Sequence, residues 1–223
     1  MRGFKKILDF VLDILFPPFC LFCGKYLEKD VCAEPICRIC SDKIIVKRYP
    51  ERINGLTLRA AADYRDKNIK FLICSLKYKN ISSASMTLGR ILAEHLLSEN
   101  IDPEKTIIVP IPLHPIKERR RGYNQSVLIA EEVGKRLGIP VEKKILRRIK
   151  SGKSQASLDD YNDRMANIRG AFTSGKDNHL TAKKTIILVD DVCTSGATMK
   201  EALREIRKMR PKRIIPAAVA IAK

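Results

Sequence analysis

The sequence predicts an α/β fold with a mostly parallel sheet, preceded by a small cysteine-rich unit. Three observations predict it. Strand-like and helix-like stretches alternate from about residue 58 to the end, the strand stretches are continuous apolar runs, and five of the seven cysteines fall between Cys20 and Cys40. Continuous apolar runs suit strands covered on both faces, as in parallel sheets, whereas half-exposed strands alternate. At 223 residues with a hydrophobic fraction of 45% the chain has room for one α/β domain plus a small appendage, which excludes an intrinsically disordered chain.

Residues 1–16 place Phe4, Ile7, Leu8, Val11, Leu12 and Leu15 at helical spacing, with Lys5, Lys6, Asp9 and Asp13 interleaved. An amphipathic helix is expected there, either docked on the protein or offered to a partner or membrane surface. It is too short to span a bilayer, and its charges and lack of a small-residue cleavage site make it a poor export signal. With neither a transmembrane segment nor an export signal, a cytoplasmic location is expected.

Residues 17–48 follow the Phe16-Pro17-Pro18 break and hold two C-x-x-C pairs, Cys20/Cys23 and Cys37/Cys40. Each pair presents two thiolates from one turn, and four thiolates complete the tetrahedron that Zn²⁺ prefers. A structural zinc finger with Cys20, Cys23, Cys37 and Cys40 as ligands is therefore expected. Cys32 is a fifth candidate, able to replace Cys37 or to stay unbound. Cys74 and Cys193 stand apart and read as packing residues.

A second domain is expected over 55–223. Its predicted elements are a strand at Leu58–Tyr64, a helix at Asn68–Tyr78 with Ile69, Leu72, Ile73 and Leu76 in register, a helix at Ala84–Leu97, and a strand from Thr106 that the prolines 110 and 112 end. Residues 113–126 read as a loop, followed by a helix to Leu137 that Gly138 and Pro140 close. A short strand near Lys144–Leu146 comes next, then a polar, basic stretch from Arg147 to Arg164. Thr185–Asp191 is the most informative strand. Its apolar run ends in Asp190 and Asp191, and the small residues Thr194, Ser195, Gly196, Ala197 and Thr198 then lead into a helix over Ala197–Met209. Such a turn can wrap an anion with backbone N–H groups and hydroxyls, and the positive end of the helix adds to it. A last strand at Arg213–Ile221 completes the alternation, with the ligand expected at the carboxyl ends of the strands.

Forty-three Lys and Arg against 25 Asp and Glu leave a net charge of +18, which favours anionic partners or serves solubility. Basic residues outnumber acidic ones most clearly in 117–153 and 200–223.

The Asp190-Asp191 strand with its Thr194–Thr198 turn resembles the ribose-phosphate motif of type I phosphoribosyltransferases, which bind phosphoribosyl pyrophosphate (PRPP). Further motifs extend the likeness: Leu15-Phe16-Pro17-Pro18 before the cysteine pairs, Leu76-Lys77-Tyr78, Pro110-Ile111-Pro112-Leu113, Arg121-Gly122-Tyr123-Asn124-Gln125-Ser126, and Gln155, Leu158, Arg164 and Asn167. Together they resemble the ComF family, phosphoribosyltransferase-type domains (Rossmann-like, mostly parallel sheet) with an N-terminal zinc finger, linked to bacterial competence and transforming-DNA uptake. The resemblance implies Asp190 and Asp191 at the ribose hydroxyls and Thr194, Ser195, Gly196, Ala197 and Thr198 at the 5-phosphate. It implies Arg119 and Arg121 at pyrophosphate, and a hood over 147–164 from which Arg148, Lys150, Lys153 or Arg164 reaches the same group. Lys77 is a further candidate for the pocket or a surface lysine. Mg²⁺ with PRPP is the implied second cofactor. Two functions stay open at this point: a phosphoribosyltransferase with an unidentified acceptor, or a non-catalytic protein that binds single-stranded DNA or a competence helicase under PRPP control.

Overall fold

The computed structural model describes residues 18–27, 34–150, 168–175 and 181–222. The expected N-terminal helix, Cys32, Lys153 and Arg164 lie outside them. The chain divides into two compact units, Met1–Ile45 and Val46–Lys223.

The first unit contains an antiparallel bridge between Phe19 and Tyr26, closed by Cys20 N–H donating to the Lys25 carbonyl (2.7 Å) and Gly24 N–H to the Cys20 carbonyl (2.9 Å). A short helix, α1 (Arg38–Ser41), follows Cys37.

The second unit opens with a hairpin, β1 (Glu51–Ile53) and β2 (Leu56–Asp63), then α2 (Lys67–Tyr78) and α3 (Ala84–Leu96). Asp66 caps α2 by accepting from Asn68 N–H (2.8 Å) and Ile69 N–H (3.1 Å), and Ile69, Leu72, Ile73 and Leu76 are fully buried on one face. Next come β3 (Thr106–Pro110), α4 (Pro115–Arg121), α5 (Gln125–Leu137), β4 (Leu146–Arg148), β5 (Phe172–Ser174), β6 (Thr185–Cys193), α6 (Ala197–Arg207) and β7 (Arg213–Ile221).

Five strands form one sheet in the order β1-β2-β7-β6-β3, antiparallel only at the β1-β2 hairpin. Every residue from Ile186 to Val189 is fully buried at its centre, as the unbroken apolar run requires. β7 slots between β2 and β6 with Ala217, Ala218 and Ala220 inside. Pro216 pairs with Leu188 but precedes the first β2 partner, Ala217 opposite Arg59, so its missing N–H falls where β2 has not yet joined. β2 therefore pairs with β1 over its first residues and with β7 only from Arg59 on.

The ribbon β4-β5 is a separate two-stranded sheet. Its base is tied by Ile149 N–H to the Ala171 carbonyl (2.8 Å) and pinned to α6, where Glu201 accepts from Gly170 N–H (2.6 Å) and Glu205 from Ser174 N–H (3.1 Å).

Two expectations need correction. Residues 113–126 are not a loop throughout, because Pro115–Arg121 is a helix. Pro115 suits its first turn, the His114 ring accepts from Ile116 N–H (3.3 Å), and Gly122 ends it at φ 85°, a left-handed position that favours glycine. The short strand expected at Lys144–Leu146 runs instead over Leu146–Arg148, where Phe172–Ser174 pairs with it. Three-residue strands carry too little pattern to place from one side of the pairing.

Candidate functional site

β6 carries Asp190 and Asp191 at its carboxyl end, and Thr194 to Gly196 then turn the chain into α6. Gly196 sits at φ 78°, and a Cβ there would lie 3.3 Å from Leu56 Cδ2, so any other residue would be both strained and crowded. The hairpin tip holds the turn from outside: Asn54 Nδ2 donates to the Ser195 carbonyl (3.0 Å). Ser195 Oγ in turn accepts from Ala197 N–H (3.4 Å).

A cleft of about 420 Å³ opens beside this turn. The structure brings Lys77, Arg121, Asp190, Asp191, Thr194 and Thr198 to its lining, and places Ser195, Gly196 and Ala197 in the small hollow that Asp190, Thr194 and Thr198 also line. It does not bring in Arg119. Lys117 and Arg121 are one helical turn apart on α4 and face the cleft together, while Arg119, two residues from each, falls on the exposed side.

Asp191 is 3% exposed; its Oδ1 lies 2.8 Å from Lys77 Nζ, and its Oδ2 is buried with no partner among the described residues. Asp190 accepts from Ser126 Oγ (3.0 Å) and from Asp191 N–H (2.9 Å). Burial and the neighbouring Asp191 push the Asp190 carboxyl up to about 7. Burial works against a charge on Lys77, but Asp191 and Asp190 more than offset it and hold the ammonium above its ordinary value. At the opposite wall, burial and then Arg148, Arg121 and Arg120 press Lys117 below its ordinary value. One side of the cleft thus crowds acids and the other crowds cations, a field that suits a ligand with hydroxyls at one end and anionic oxygens at the other.

The Arg121–Ser126 motif builds this wall. Tyr123 Oη donates to the Leu76 carbonyl (2.6 Å), fixing the corner between α4 and α5 to the helix end that carries Lys77. Asn124 donates to the Ile111 carbonyl (3.1 Å) and caps α5 by accepting from Ser126 N–H (3.0 Å), which aims Ser126 at Asp190. Arg121 bonds Gln125 and lies 5.9 Å from the Tyr78 ring centre.

Sequence reasoning missed Lys117, Ser126 and Tyr64 as lining residues, and left Arg148 outside the main set. The four-residue step from Lys117 to Arg121 between Pro115 and Gly122 was a usable signal for the first. Nothing local marks Tyr64, which enters because β2 ends beside β7.

In the first unit, the sulfurs of Cys20, Cys23, Cys37 and Cys40 all lie within 4.8 Å of one another, with Cys23 and Cys37 3.7 Å apart. Metal–sulfur bonds of about 2.3 Å in a tetrahedron require sulfurs about 3.8 Å apart, so the cluster fits a metal ion such as zinc. Its electrostatics point the same way. Burial opposes a thiolate at Cys20, yet the N–H groups of Cys23, Cys37 and Phe22 bring it down to about 6, while burial and the other three sulfurs push Cys40 up to about 12. Four thiolates this close repel one another unless a cation sits among them.

The model of the phosphoribosyl transferase domain family matches residues 123–223. The chain is similar to Competence protein F of Haemophilus influenzae, with 30% identity over 63% of this chain and 62% of that protein. It is also similar to DNA utilization protein YhgH of Salmonella typhi, with 28% identity over 65% of this chain and 63% of that one. The chain thus spans less than two thirds of the length of these relatives. Among solved structures it resembles glutamine phosphoribosylpyrophosphate amidotransferase from B. subtilis, at 16% identity over 75% of this chain and 33% of that one, with a TM-score of 0.43. No helix among the described residues is long and apolar enough to cross a membrane.

Proposed function

We propose that the chain is a ComF-type protein, on its match to the phosphoribosyl transferase domain family over residues 123–223 and its likeness to Competence protein F and YhgH, and that the cleft beside Asp190 and Asp191 binds PRPP and supports displacement of its pyrophosphate. The observation that carries this is Asp191 Oδ2, a buried carboxylate oxygen without a partner among the described residues, in the cleft beside the Thr194–Thr198 turn. Leaving such an atom unpaired costs about 1–3 kcal/mol, which a ribose hydroxyl donating to it would recover. Asp190 takes the neighbouring hydroxyl, and the N–H groups and hydroxyls of Thr194 to Thr198 hold the 5-phosphate.

Lys117, Arg121 and Arg148 face the pyrophosphate, where planar guanidinium groups can take two oxygens each. Arg164, outside the described residues, joins them in this reading. Lys77 holds Asp191 Oδ1, which leaves Oδ2 to face the ligand. Leaving-group departure from ribose C1 builds positive charge on the sugar, which the adjacent carboxylates stabilise. The hard oxygen donors of Asp190 and Asp191 fit Mg²⁺, which when bound supplies charge neutralisation on the departing pyrophosphate. In the first unit, Cys20, Cys23, Cys37 and Cys40 hold a structural Zn²⁺.

The names of the relatives support a role in competence and the use of transforming DNA. A net charge of +18 favours direct contact with single-stranded DNA in that role, with PRPP or a helicase partner regulating it. Calorimetry with PRPP and Mg²⁺ tests the core of the reading. Asp190→Asn with Asp191→Asn should weaken binding at least tenfold, as two charge-assisted bonds of about 1.5–3 kcal/mol are lost. If pyrophosphate alone binds the wild type as tightly as PRPP, the ribose assignment is wrong. Pyrophosphate release on adding candidate acceptors or DNA separates a transferase from a PRPP-controlled binding protein.

A further inference from the structure

A second cleft lies away from the acids. It measures about 480 Å³, shares no residue with the PRPP cleft, and lies between the β1-β2 hairpin, the carboxyl-terminal half of α6 and the first residues of β7. Arg207, Arg210, Lys212 and Arg213 line it, and no acidic residue does among the described residues. Leu56, Pro211, Ile214 and Pro216 supply an apolar wall between them. We infer that this cleft seats a base and the flanking phosphates of single-stranded DNA. The inference deepens the DNA-handling reading above and rests on it.

Charge pairing on α6 is selective. Arg204 and Lys208 each bond a glutamate on their own helix, Glu201 and Glu205. Arg207, Arg210 and Lys212 are exposed and have no carboxylate partner among the described residues, so nothing described there neutralises their charge. Arg213 is different, because Glu99 holds it. Cations at the end of a helix also offset its carbonyl dipole, but that role needs neither a cleft nor an apolar wall. The two features together fit an anionic chain that carries flat apolar rings. Bases in a duplex are stacked inside and cannot lie against such a wall, whereas single-stranded bases can. Arg210 lies at φ 52° after the helix, a left-handed position usually given to Gly or Asn.

Fluorescence anisotropy of a labelled oligothymidylate over a salt series tests the placement. The triple variant Arg207→Gln, Arg210→Gln, Lys212→Gln alters only exposed side chains and should fold normally by thermal unfolding. Three lost phosphate contacts at about 0.7 counterion each should reduce the slope of log K against log salt by about 2, with a loss of affinity of tenfold or more at physiological salt. A control variant of equal charge change, Lys67→Gln, Lys70→Gln, Lys135→Gln, should keep the wild-type slope. An abasic oligonucleotide should bind less tightly than the oligothymidylate.

If wild type binds no oligonucleotide even at low salt, the DNA-handling reading itself fails. If wild type binds and the triple variant matches it, or the control variant loses as much, that reading stands and this placement fails. A polyglutamate peptide competing as well as the oligonucleotide would show a general polyanion surface and overturn the assignment to nucleic acid.

Discussion

Asp190→Asn should make the ligand-free protein more stable at neutral pH while weakening PRPP binding. The Asp190 carboxyl is held at about 7 in the fold by burial and by Asp191, against about 3.9 in an unfolded chain. A raised folded-state value means the unfolded chain gives up the proton first as pH rises. The contribution of this group to stability is therefore complete below about pH 4 and is lost as pH climbs through about 7. A gap of about three units at 1.36 kcal/mol each sets a ceiling of about 4 kcal/mol, and relaxation around the acid pair brings the expected penalty to roughly 2–4 kcal/mol.

Asparagine removes the charge and keeps the bonds, because its Oδ1 can still accept from Ser126 Oγ and Asp191 N–H. For a chain of this length the gain corresponds to about 5–15 °C in Tm. Thermal unfolding of the ligand-free wild type and variant at pH 4 and pH 8 checks it. The Tm difference should be near zero at pH 4 and at its largest at pH 8. A variant less stable than wild type at pH 8, or a difference that does not change with pH, would refute the claim that Asp190 carries stored electrostatic cost.

Lys77→Met should act in the opposite direction. It leaves the acid pair without its buried cation, so stability should fall by about 3 kcal/mol at pH 7 and by less at pH 5, where a proton can replace the ammonium; urea unfolding at both values reads this out. Gly196→Ala should cost about 1–2 kcal/mol from its left-handed backbone and tight fit to Leu56, with a lower Tm and weaker PRPP binding by calorimetry. Elemental analysis should find about one zinc per chain in the wild type, none after Cys20→Ser with Cys23→Ser, and an unchanged content after Cys32→Ser, since the four described sulfurs already complete a tetrahedron.

The parts legible in the sequence were those whose physics is local. An apolar run too long to be exposed, two acids and a glycine-bearing turn announced β6, its loop and α6 before any packing was known. The cysteine pairs announced their cluster because each C-x-x-C closes on itself. Distance defeated the rest. Ser126 reaches Asp190 only because Asn124 bonds the Ile111 carbonyl across the end of β3, and Tyr64 arrives through the pairing of β2 with β7. Lys117 was legible in principle, but residues 113–126 read as a loop concealed the face it shares with Arg121. β5 is three residues long and is defined by partners 24 to 28 residues earlier, from Arg148 opposite Phe172 to Leu146 opposite Ser174, so no short window of sequence contains its evidence.

The anchored base of the β4-β5 ribbon has a consequence for how this protein can change. Its two legs meet at Ile149 and Ala171, and the backbone of one is clamped by Glu201 and Glu205 of α6. The points where the chain leaves for 151–167 and returns are therefore fixed by the scaffold and not by what lies between them. Lengthening that segment by ten residues would add only about 0.4 kcal/mol of closure entropy, since the cost grows with the logarithm of length. The anchored leg ends beside Arg148, a cleft residue, so a change of sequence after Lys150 starts from a point that the rest of the fold already holds in place.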